Sequence, residues 1–353
     1  MRTLGILAHP GVPLKDALEL TELAEAHGLG IVGTGDNGYA EAFGQLGAFA
    51  ARTSRVELIS CAINWTRTPV TTAWGATTLA ELAEGRFRLG IGAMPDTWNR
   101  DWHDIAYERP VERMRDFVAA TRKAWAAGPG AAAAAGGAAA RHDGDFYRIP
   151  AFTRFDEPPP YPIPVYLGVT RPRMSELAGE IAEGVIFNSV HTVEWIREVN
   201  WPALDRGLER AGRPGRAGFD AGVRVYCAIS EDEAEAVHLL RRSLAFFLPV
   251  PYFHELLRHA GFGAELERGV AALAAGDWDA AELAMTDQVV RRFAIAGTER
   301  QVREQLRRYE GVADWAMFSG PRRYPAAVYR EQMERIVRCF GPLCDAATGR
   351  VQL

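Results

Sequence analysis

The sequence is poor in the patterns that bind metals or form disulfides. It has four cysteines, Cys61, Cys227, Cys339 and Cys344, and none forms a C-x-x-C pair or lies beside a histidine cluster. Four cysteines dispersed over 353 residues do not make a disulfide framework, and they lack the spacing of a zinc site. We therefore expect neither a bound metal nor disulfides.

The sequence also lacks a long basic stripe and any apolar run of membrane-spanning length. Its formal net charge is −5, and its arginines alternate with acidic residues, as on solvated helix faces. Neither nucleic acid nor a membrane is therefore expected as a partner. The N-terminal apolar run ends at a Pro-Gly break, which favours a strand over a signal peptide, and we expect a cytoplasmic protein.

Several catalytic motifs are missing as well. No H-x-H follows the first apolar run, and no G-x-S-x-G is present, which argues against a metal-dependent amidohydrolase and an α/β-hydrolase. The glycines of "GRFRLGIGA" at 85–93 do not match G-x-G-x-x-G opening a helix. A Rossmann dinucleotide site is therefore not predicted.

What is present is a regular alternation of short apolar runs with amphipathic helical patterns. Repeated βα alternation predicts parallel strands with right-handed crossovers, and eight such units favour a closed barrel. We predict a single (β/α)8 TIM barrel domain over residues 1–353. Its eight strands are predicted at 3–8, 30–36, 56–64, 86–93, 164–169, 185–190, 222–230 and 314–320.

Two insertions interrupt this alternation. Residues 126–150 hold an Ala/Gly tract, predicted as a loop, followed by a short extended segment. Residues 245–293 are predicted to be helical and amphipathic. Two alternatives stay open for this second insertion: it covers the barrel mouth, or it packs as a structural or homodimer element.

In a barrel of this kind the side chains just past each strand face the catalytic end. The loop "LGVTRPRM" at 167–174 is the candidate phosphate site, because Gly168 permits close backbone approach and a helix begins near Pro172. An ordinary turn with two solvated arginines is the alternative. The candidates at this end are His9, Asp36, Asn37, Asn64, Trp65, Arg67, Asp96, Asn99, His103, Thr170, Arg171, Arg173, Asn188, Ser189, His191, Ser319 and Arg322.

Longer segments of the chain carry a family resemblance. They include "RTPVTTAWGATTLAELAEGRFRLGIGA", "ERPVERMRDFVAATRKAW", "PVYLGVTRPRMSELAGEIAEGVIFN" and "IAGTERQVREQLRRYEGVAD". In this order they resemble the luciferase-like monooxygenase superfamily, in the branch related to methylenetetrahydromethanopterin reductase. The resemblance implies a (β/α)8 fold and use of coenzyme F420 or FMN.

The resemblance also implies roles for particular residues. "GTGDN" resembles a motif in which Asp36 would be followed by a histidine, but this chain has Asn37, which does not ionise. Ser60, Cys61 and Ala62 match a bulge with a non-prolyl cis peptide that supports the cofactor ring. Further matches are Asp96 and Asn99 in the fourth loop, and a cofactor-binding set of Gly168, Val169, Thr170, Arg171, Arg173 and Asn188.

The function implied is an oxidoreductase that transfers a hydride between F420 and a small organic substrate. The alternatives are an FMN-dependent monooxygenase of the same superfamily and a non-catalytic flavin-binding barrel. If the reaction needs a proton donor or acceptor, we predict His9 or Asp96 rather than Asn37. The competing interpretation is that His9 and Asp96 cap local structure.

Overall fold

A computed structural model describes residues 1–8, 11–36, 38, 41–135, 137 and 139–352. Apart from β5 and β6, its strands run mostly through buried, apolar segments. In the described residues they are β1 (Thr3–Leu7), β2 (Ile31–Thr34), β3 (Glu57–Ser60), β4 (Phe87–Ile91), β5 (Ala140–Asp143), β6 (Arg148–Phe152), β7 (Val165–Val169), β8 (Gly184–Phe187), β9 (Asp220–Ile229), β10 (Ile295–Gly297) and β11 (Trp315–Ser319).

Eight of these strands close into a parallel barrel. The ring runs β1-β2-β3-β4-β7-β8-β9-β11, and β11 pairs back onto β1 with Thr3 opposite Trp315. Each ring strand overlaps one of the eight predicted segments, so the predicted (β/α)8 fold is confirmed. Strands buried on both faces show as continuous apolar runs, which is why the sequence pattern was sufficient.

Helices follow the ring strands and cover the outside of the barrel. The helix after β3, the second helix after β4 and the helix after β7 begin with proline, whose missing N–H costs little in a first turn. The helices are α1 (Leu14–Ala26), α2 (Ala42–Arg52), α3 (Pro69–Leu82), α4 (Asp96–His103), α5 (Pro110–Ala126), α6 (Pro129–Ala134), α7 (Pro172–Ile181), α8 (Val193–Trp195), α9 (Trp201–Arg210), α10 (Glu233–Ala245), α11 (Pro251–His259), α12 (Gly263–Ala274), α13 (Trp278–Ala284), α14 (Asp287–Phe293), α15 (Glu299–Leu306) and α16 (Ala326–Phe340). Within the described residues, none of these helices is long and apolar enough to cross a bilayer.

The inside of the barrel is filled by side chains rather than open. A compact apolar cluster there includes Ile59, Cys61, Tyr166, Trp315 and Met317. The indole of Trp315 lies against Gly222 of β9, where an added Cβ would fall 1.9 Å from Trp315 Cζ2. This aromatic plug separates the N-terminal end of the barrel from the C-terminal end.

The first insertion differs in part from its prediction. The Ala-rich tract was predicted as a loop, but it begins with the short helix α6, as expected from the high helix propensity of alanine. The extended segment predicted after it, "HDGDFYRI" at 142–149, spans the end of β5, the turn and the start of β6, which together form an antiparallel hairpin.

The second insertion is helical, as predicted. Its helices α11 to α14 follow α10, and with α10 they enclose an apolar cluster of their own that includes Phe253, Leu257 and Phe293. It returns to the barrel through β10, which was not predicted. Strand β9 extends beyond the ring, and β10 pairs with this extension, Ile295 opposite Cys227.

Candidate active site

A cavity of about 680 Å³ lies at the C-terminal ends of the ring strands. This is the size of a cofactor or small-molecule site, and most of the lining is apolar with a few polar groups. The structure brings twelve of the predicted site residues together in its wall. They are Asp36, Cys61, Ala62, Asn64, Gly168, Val169, Thr170, Arg171, Arg173, Asn188, Ser189 and Arg322.

The floor of the cavity at the end of β3 has a special backbone. The peptide bond between Cys61 and Ala62 is cis, which confirms the predicted non-prolyl cis peptide in this segment. Two glycines make room for the bulge: an added Cβ at Gly35 would lie 2.6 Å from Ala62 N, and one at Gly90 would lie 1.9 Å from the Ser60 carbonyl oxygen. The backbone here therefore packs closer than any side chain would permit.

Ser60 and Cys61 have different surroundings in this bulge. The Ser60 hydroxyl donates to the Gly90 carbonyl at 2.9 Å and accepts from the Gly90 amide at 2.8 Å, so it ties β3 to β4 and lies outside the cavity wall. Burial raises the pKa of the Cys61 thiol to about 12, although the nearby Arg224 guanidinium opposes the shift. The thiol is therefore protonated at neutral pH and is a poor nucleophile.

The loop between β7 and α7 is the predicted phosphate site. Helix α7 begins at Pro172, and no side chain caps its N-terminus, so the amides of Arg173 and Met174 have no intrahelical acceptor. Both residues line the cavity. Because a helix N-terminus favours an anion, this corner is electrostatically suited to a phosphate.

The two arginines of this loop lie at the cavity rim and are already paired. Arg171 contacts Glu255 at 2.6 Å, and Arg173 contacts Glu112 at 3.1 Å. Their side chains are 49% and 74% exposed. The backbone of the loop, rather than these side chains, is therefore the inward-facing part of the site.

The insertion forms one wall of the cavity through the segment from Phe246 to Glu255. Tyr252 of α11 accepts a hydrogen bond from Asn188 Nδ2 at 3.2 Å, which connects the insertion to the end of β8. Burial raises the pKa of Tyr252 and outweighs the lowering by Asn188. Of the two alternatives for this insertion, covering the barrel mouth is the one that these contacts support.

Asp36 lies at the cavity with both carboxylate oxygens engaged. It forms a two-point ion pair with Arg67, whose Nη2 lies 3.1 Å from Oδ1, and it accepts the Ala42 amide at 2.9 Å. Burial alone would lower the pKa of Arg67, but Asp36 and Glu41 raise it above its ordinary value. The predicted neighbours His9 and Asn37 lie outside the described residues.

Asp96 and Asn99 were predicted in a loop, but they belong to helix α4. Asp96 lies on its exposed face and pairs with Arg100 at 2.6 Å. Asn99 is fully buried, accepts the Trp65 indole N–H at 2.7 Å and donates to the Ala93 carbonyl at 2.9 Å. Neither residue lines the cavity. Both instead make structural contacts within helix α4 or with the segments beside it.

His191 supports the site from behind. It is buried, its Nδ1 hydrogen-bonds the Asn188 carbonyl, and its Nε2 lies 3.2 Å from the Tyr309 hydroxyl. Burial lowers the pKa of His191 to about 4, so the imidazole stays neutral at ordinary pH. The ring therefore fixes the position of Asn188.

Arg224 and Tyr252 are polar residues of the cavity wall that were not predicted. Arg224 projects inward from β9 and donates to the Cys61 carbonyl at 3.2 Å. Tyr252 comes from the insertion, where no motif marked it. The only signal for Arg224 was a charged residue inside the apolar run "GVRVYCAIS".

Residues 3–314 match the family model of the luciferase-like monooxygenases. An uncharacterised protein of Mycobacterium tuberculosis strain H37Rv is 32% identical over 278 residues, which cover 75% of this chain and 78% of that protein. The 5,10-methylenetetrahydromethanopterin reductase of Archaeoglobus fulgidus is 29% identical over 243 residues, 67% of this chain and 68% of its own. The solved structure of a coenzyme F420 dependent tetrahydromethanopterin reductase from Methanopyrus kandleri shares the fold, with TM-score 0.78, 21% identity and coverage of 96% and 97%.

Proposed function

The chain belongs to the luciferase-like monooxygenase family, and from this membership and the cavity we propose that it is a coenzyme F420-dependent oxidoreductase. In this proposal a hydride passes between the deazaflavin and a small organic substrate. A relative named as a methylenetetrahydromethanopterin reductase supports it. The observation that carries it is the cavity that joins the Cys61–Ala62 bulge to the uncapped start of α7.

The residues present fit a phosphate-bearing, ring-containing cofactor. The cavity is large enough, its lining is mostly apolar, and one end offers the free amides of Arg173 and Met174. At the other end the bulge packs closely against Gly35 and Gly90, and its residues Cys61 and Ala62 line the cavity. A cofactor with a planar apolar ring and a phosphate tail needs an apolar wall for the ring and free N–H donors for the phosphate.

When bound, F420 supplies a ring carbon that accepts or donates a hydride. In the proposed mechanism the start of α7 binds the phosphate and the bulge orients the ring. Phe246, Phe247 and Val250 exclude water from the space between ring and substrate. Asn188 and the Tyr252 hydroxyl offer hydrogen bonds to the reacting substrate, and Tyr252 keeps its proton at neutral pH.

Of the two residues predicted for proton transfer, His9 stays a prediction. Asp96 lies on the exposed face of α4 and is not part of the proposed site. A single domain over residues 1–353, a cytoplasmic location and a homodimer also stay predictions.

A titration with F420, FMN and NADPH tests the proposal, with Trp98 fluorescence as the readout because Trp98 lines the cavity. We expect F420 to bind most tightly. Tight FMN binding without F420 binding would favour the monooxygenase alternative. Binding of F420 with no turnover of any substrate tried would favour a non-catalytic barrel.

Substitution at Gly168 tests the phosphate corner. An added Cβ there would lie 3.6 Å from the Ile91 carbonyl oxygen, so Gly168→Ala fits, whereas the longer side chain of Gly168→Leu enters the cavity. We expect Gly168→Leu to weaken F420 binding about tenfold or more, the size of one lost phosphate contact. Gly263→Leu is the matched control, because an added Cβ at Gly263 has open space. Unchanged affinity in Gly168→Leu would place the phosphate elsewhere, near Ser319 and Arg322.

A further inference from the structure

A second polar region of the cavity is formed by Arg224, in the middle of β9, and Arg322, which follows β11. Arg224 of β9 donates from Nη1 to the Cys61 carbonyl, and its buried Nε has no hydrogen-bond partner among the described residues. Arg322 follows β11, is 7% exposed, and its guanidinium lies 5.1 Å from the centre of the Phe246 ring. Both arginines line the cavity.

Among the residues that the structure describes, no acidic side chain pairs with Arg224. In the described part of the chain, no carboxylate oxygen lies within 4 Å of its guanidinium. The carboxylates that share the cavity are engaged elsewhere, since Asp36 pairs with Arg67 and Glu255 pairs with Arg171. A partly buried guanidinium that holds one carbonyl is left with unused donors in a low-dielectric region.

The surroundings of Arg224 are suited to an anion with an apolar body. Tyr252 lines the cavity together with Arg224 and Arg322, and the two positive charges act to lower the pKa of its hydroxyl. Beside them the wall is formed by Phe246, Phe247 and Val250. A carboxylate placed here would make charge-assisted hydrogen bonds, while its carbon skeleton would contact the aromatic wall.

We propose that Arg224, Arg322 and Tyr252 form a carboxylate-binding subsite, so that the substrate is a small organic acid with an apolar body. The substrate assignment rests on the proposed function, but the subsite itself does not require the cofactor. It is separate from the phosphate corner at the start of α7.

Calorimetric titration of the full chain with benzoate and benzamide, at constant ionic strength and without cofactor, tests the subsite. The two probes have the same shape and differ in charge. We expect benzoate to bind at least tenfold more tightly than benzamide, and Arg224→Met to abolish the difference. The control Arg300→Met removes one charge from a side chain that is 84% exposed, and it should bind benzoate like the wild type. Equal affinity for both probes, or unchanged benzoate binding in Arg224→Met, would overturn the proposal.

Titrating Arg224→Met with F420 tests whether the subsite binds the substrate or an anionic group of the cofactor. Affinity within twofold of the wild type assigns the subsite to the substrate, whereas a loss as large as that for benzoate assigns Arg224 to the cofactor and overturns the proposal. Circular dichroism checks folding, and if Arg224→Met does not fold, Arg224→Gln replaces it with the same criteria. Benzoate binding that depends on Arg224 in a protein that does not bind F420 would refute the proposed function and leave the subsite standing.

Discussion

Each end of the barrel contains a partly buried arginine, Arg88 at the N-terminal end and Arg224 at the C-terminal end, and the two have different surroundings. Strand β9 contributes to both. At the N-terminal end, Asp220 of β9 accepts from Arg88 at 2.8 Å, from the Tyr166 hydroxyl at 2.7 Å and from the Trp315 indole at 2.9 Å. Arg88 also pairs with Glu57. Burial alone would lower the pKa of Arg88, but these neighbours raise it above its ordinary value.

At the C-terminal end, the guanidinium of Arg224 has a donor, Nε, without a hydrogen-bond partner among the described residues. Arg224 lies four residues beyond Asp220 on the same face of β9, roughly 13 Å further along the strand. Between them the Trp315 ring fills the space above Gly222. One end is a closed network that stabilises the fold, and the other keeps donors for a ligand, which is the usual division in these barrels.

Removing the shared acceptor at the closed end should have the largest effect. Asp220→Ala leaves Arg88, Tyr166 and Trp315 without their common acceptor, and breaking such a buried pair costs about 3–5 kcal/mol. Urea unfolding measures the loss. The control Asp205→Ala breaks an exposed pair with Arg216 and should cost about 1 kcal/mol or less. A loss in Asp220→Ala no greater than in this control would contradict a stabilising network.

His191 gives the cavity end a pH dependence of intermediate size. Its folded pKa of about 4 lies below the ordinary 6.5, so below pH 6.5 the unfolded chain binds a proton that the folded chain does not. The stabilisation is therefore complete above pH 6.5 and is lost as the pH falls toward 4. Between pH 7.5 and 5.0 this amounts to about 2 kcal/mol of unfolding free energy.

Urea unfolding at the two pH values measures this effect, and His191→Gln should lack it because glutamine does not titrate. The same substitution at exposed His238 should leave the wild-type difference in place. Equal pH dependence in wild type and His191→Gln would show that folding does not lower the pKa of His191.

The smallest effect on stability is expected at Arg224. Arg224→Met removes a charge that has no carboxylate partner in the described structure, so the free energy of unfolding should change by about 1 kcal/mol or less, or rise. The matched variant Arg88→Met should lose about 3 kcal/mol, because it removes the ion pairs of Arg88 with Asp220 and Glu57. Equal losses in the two variants would remove the distinction between the ends.

Most of the fold could be predicted because parallel barrel strands are marked by apolar runs and helix starts by proline. Strand β10 was missed because three residues are too short for a periodic pattern. Helix α4 was missed because "DTWNRDWH" has few apolar residues, and Asp96, which was predicted in a loop, lies on the exposed face of this helix.

Less of the site could be predicted. The loop at 168–173 stood out through its glycine, proline and arginines, and the bulge at Cys61–Ala62 through its family resemblance. Arg224 did not stand out, because both faces of β9 are buried and alternation cannot tell which one faces inward. Tyr252 reaches the cavity through the packing of a whole insertion, which local sequence does not encode.

The pairing of β9 with β10 has a consequence for how such chains diversify. The chain leaves the barrel after Ile229 and returns at Ile295, yet Ile229 and Gly297 are register partners on adjacent strands, about 4.8 Å apart. The excursion between them has its own apolar cluster and its two ends are neighbours. The excursion is therefore exchangeable as a unit. An insertion from a relative, joined at the same two strands, would replace one wall of the cavity while the phosphate corner and the bulge stay in place.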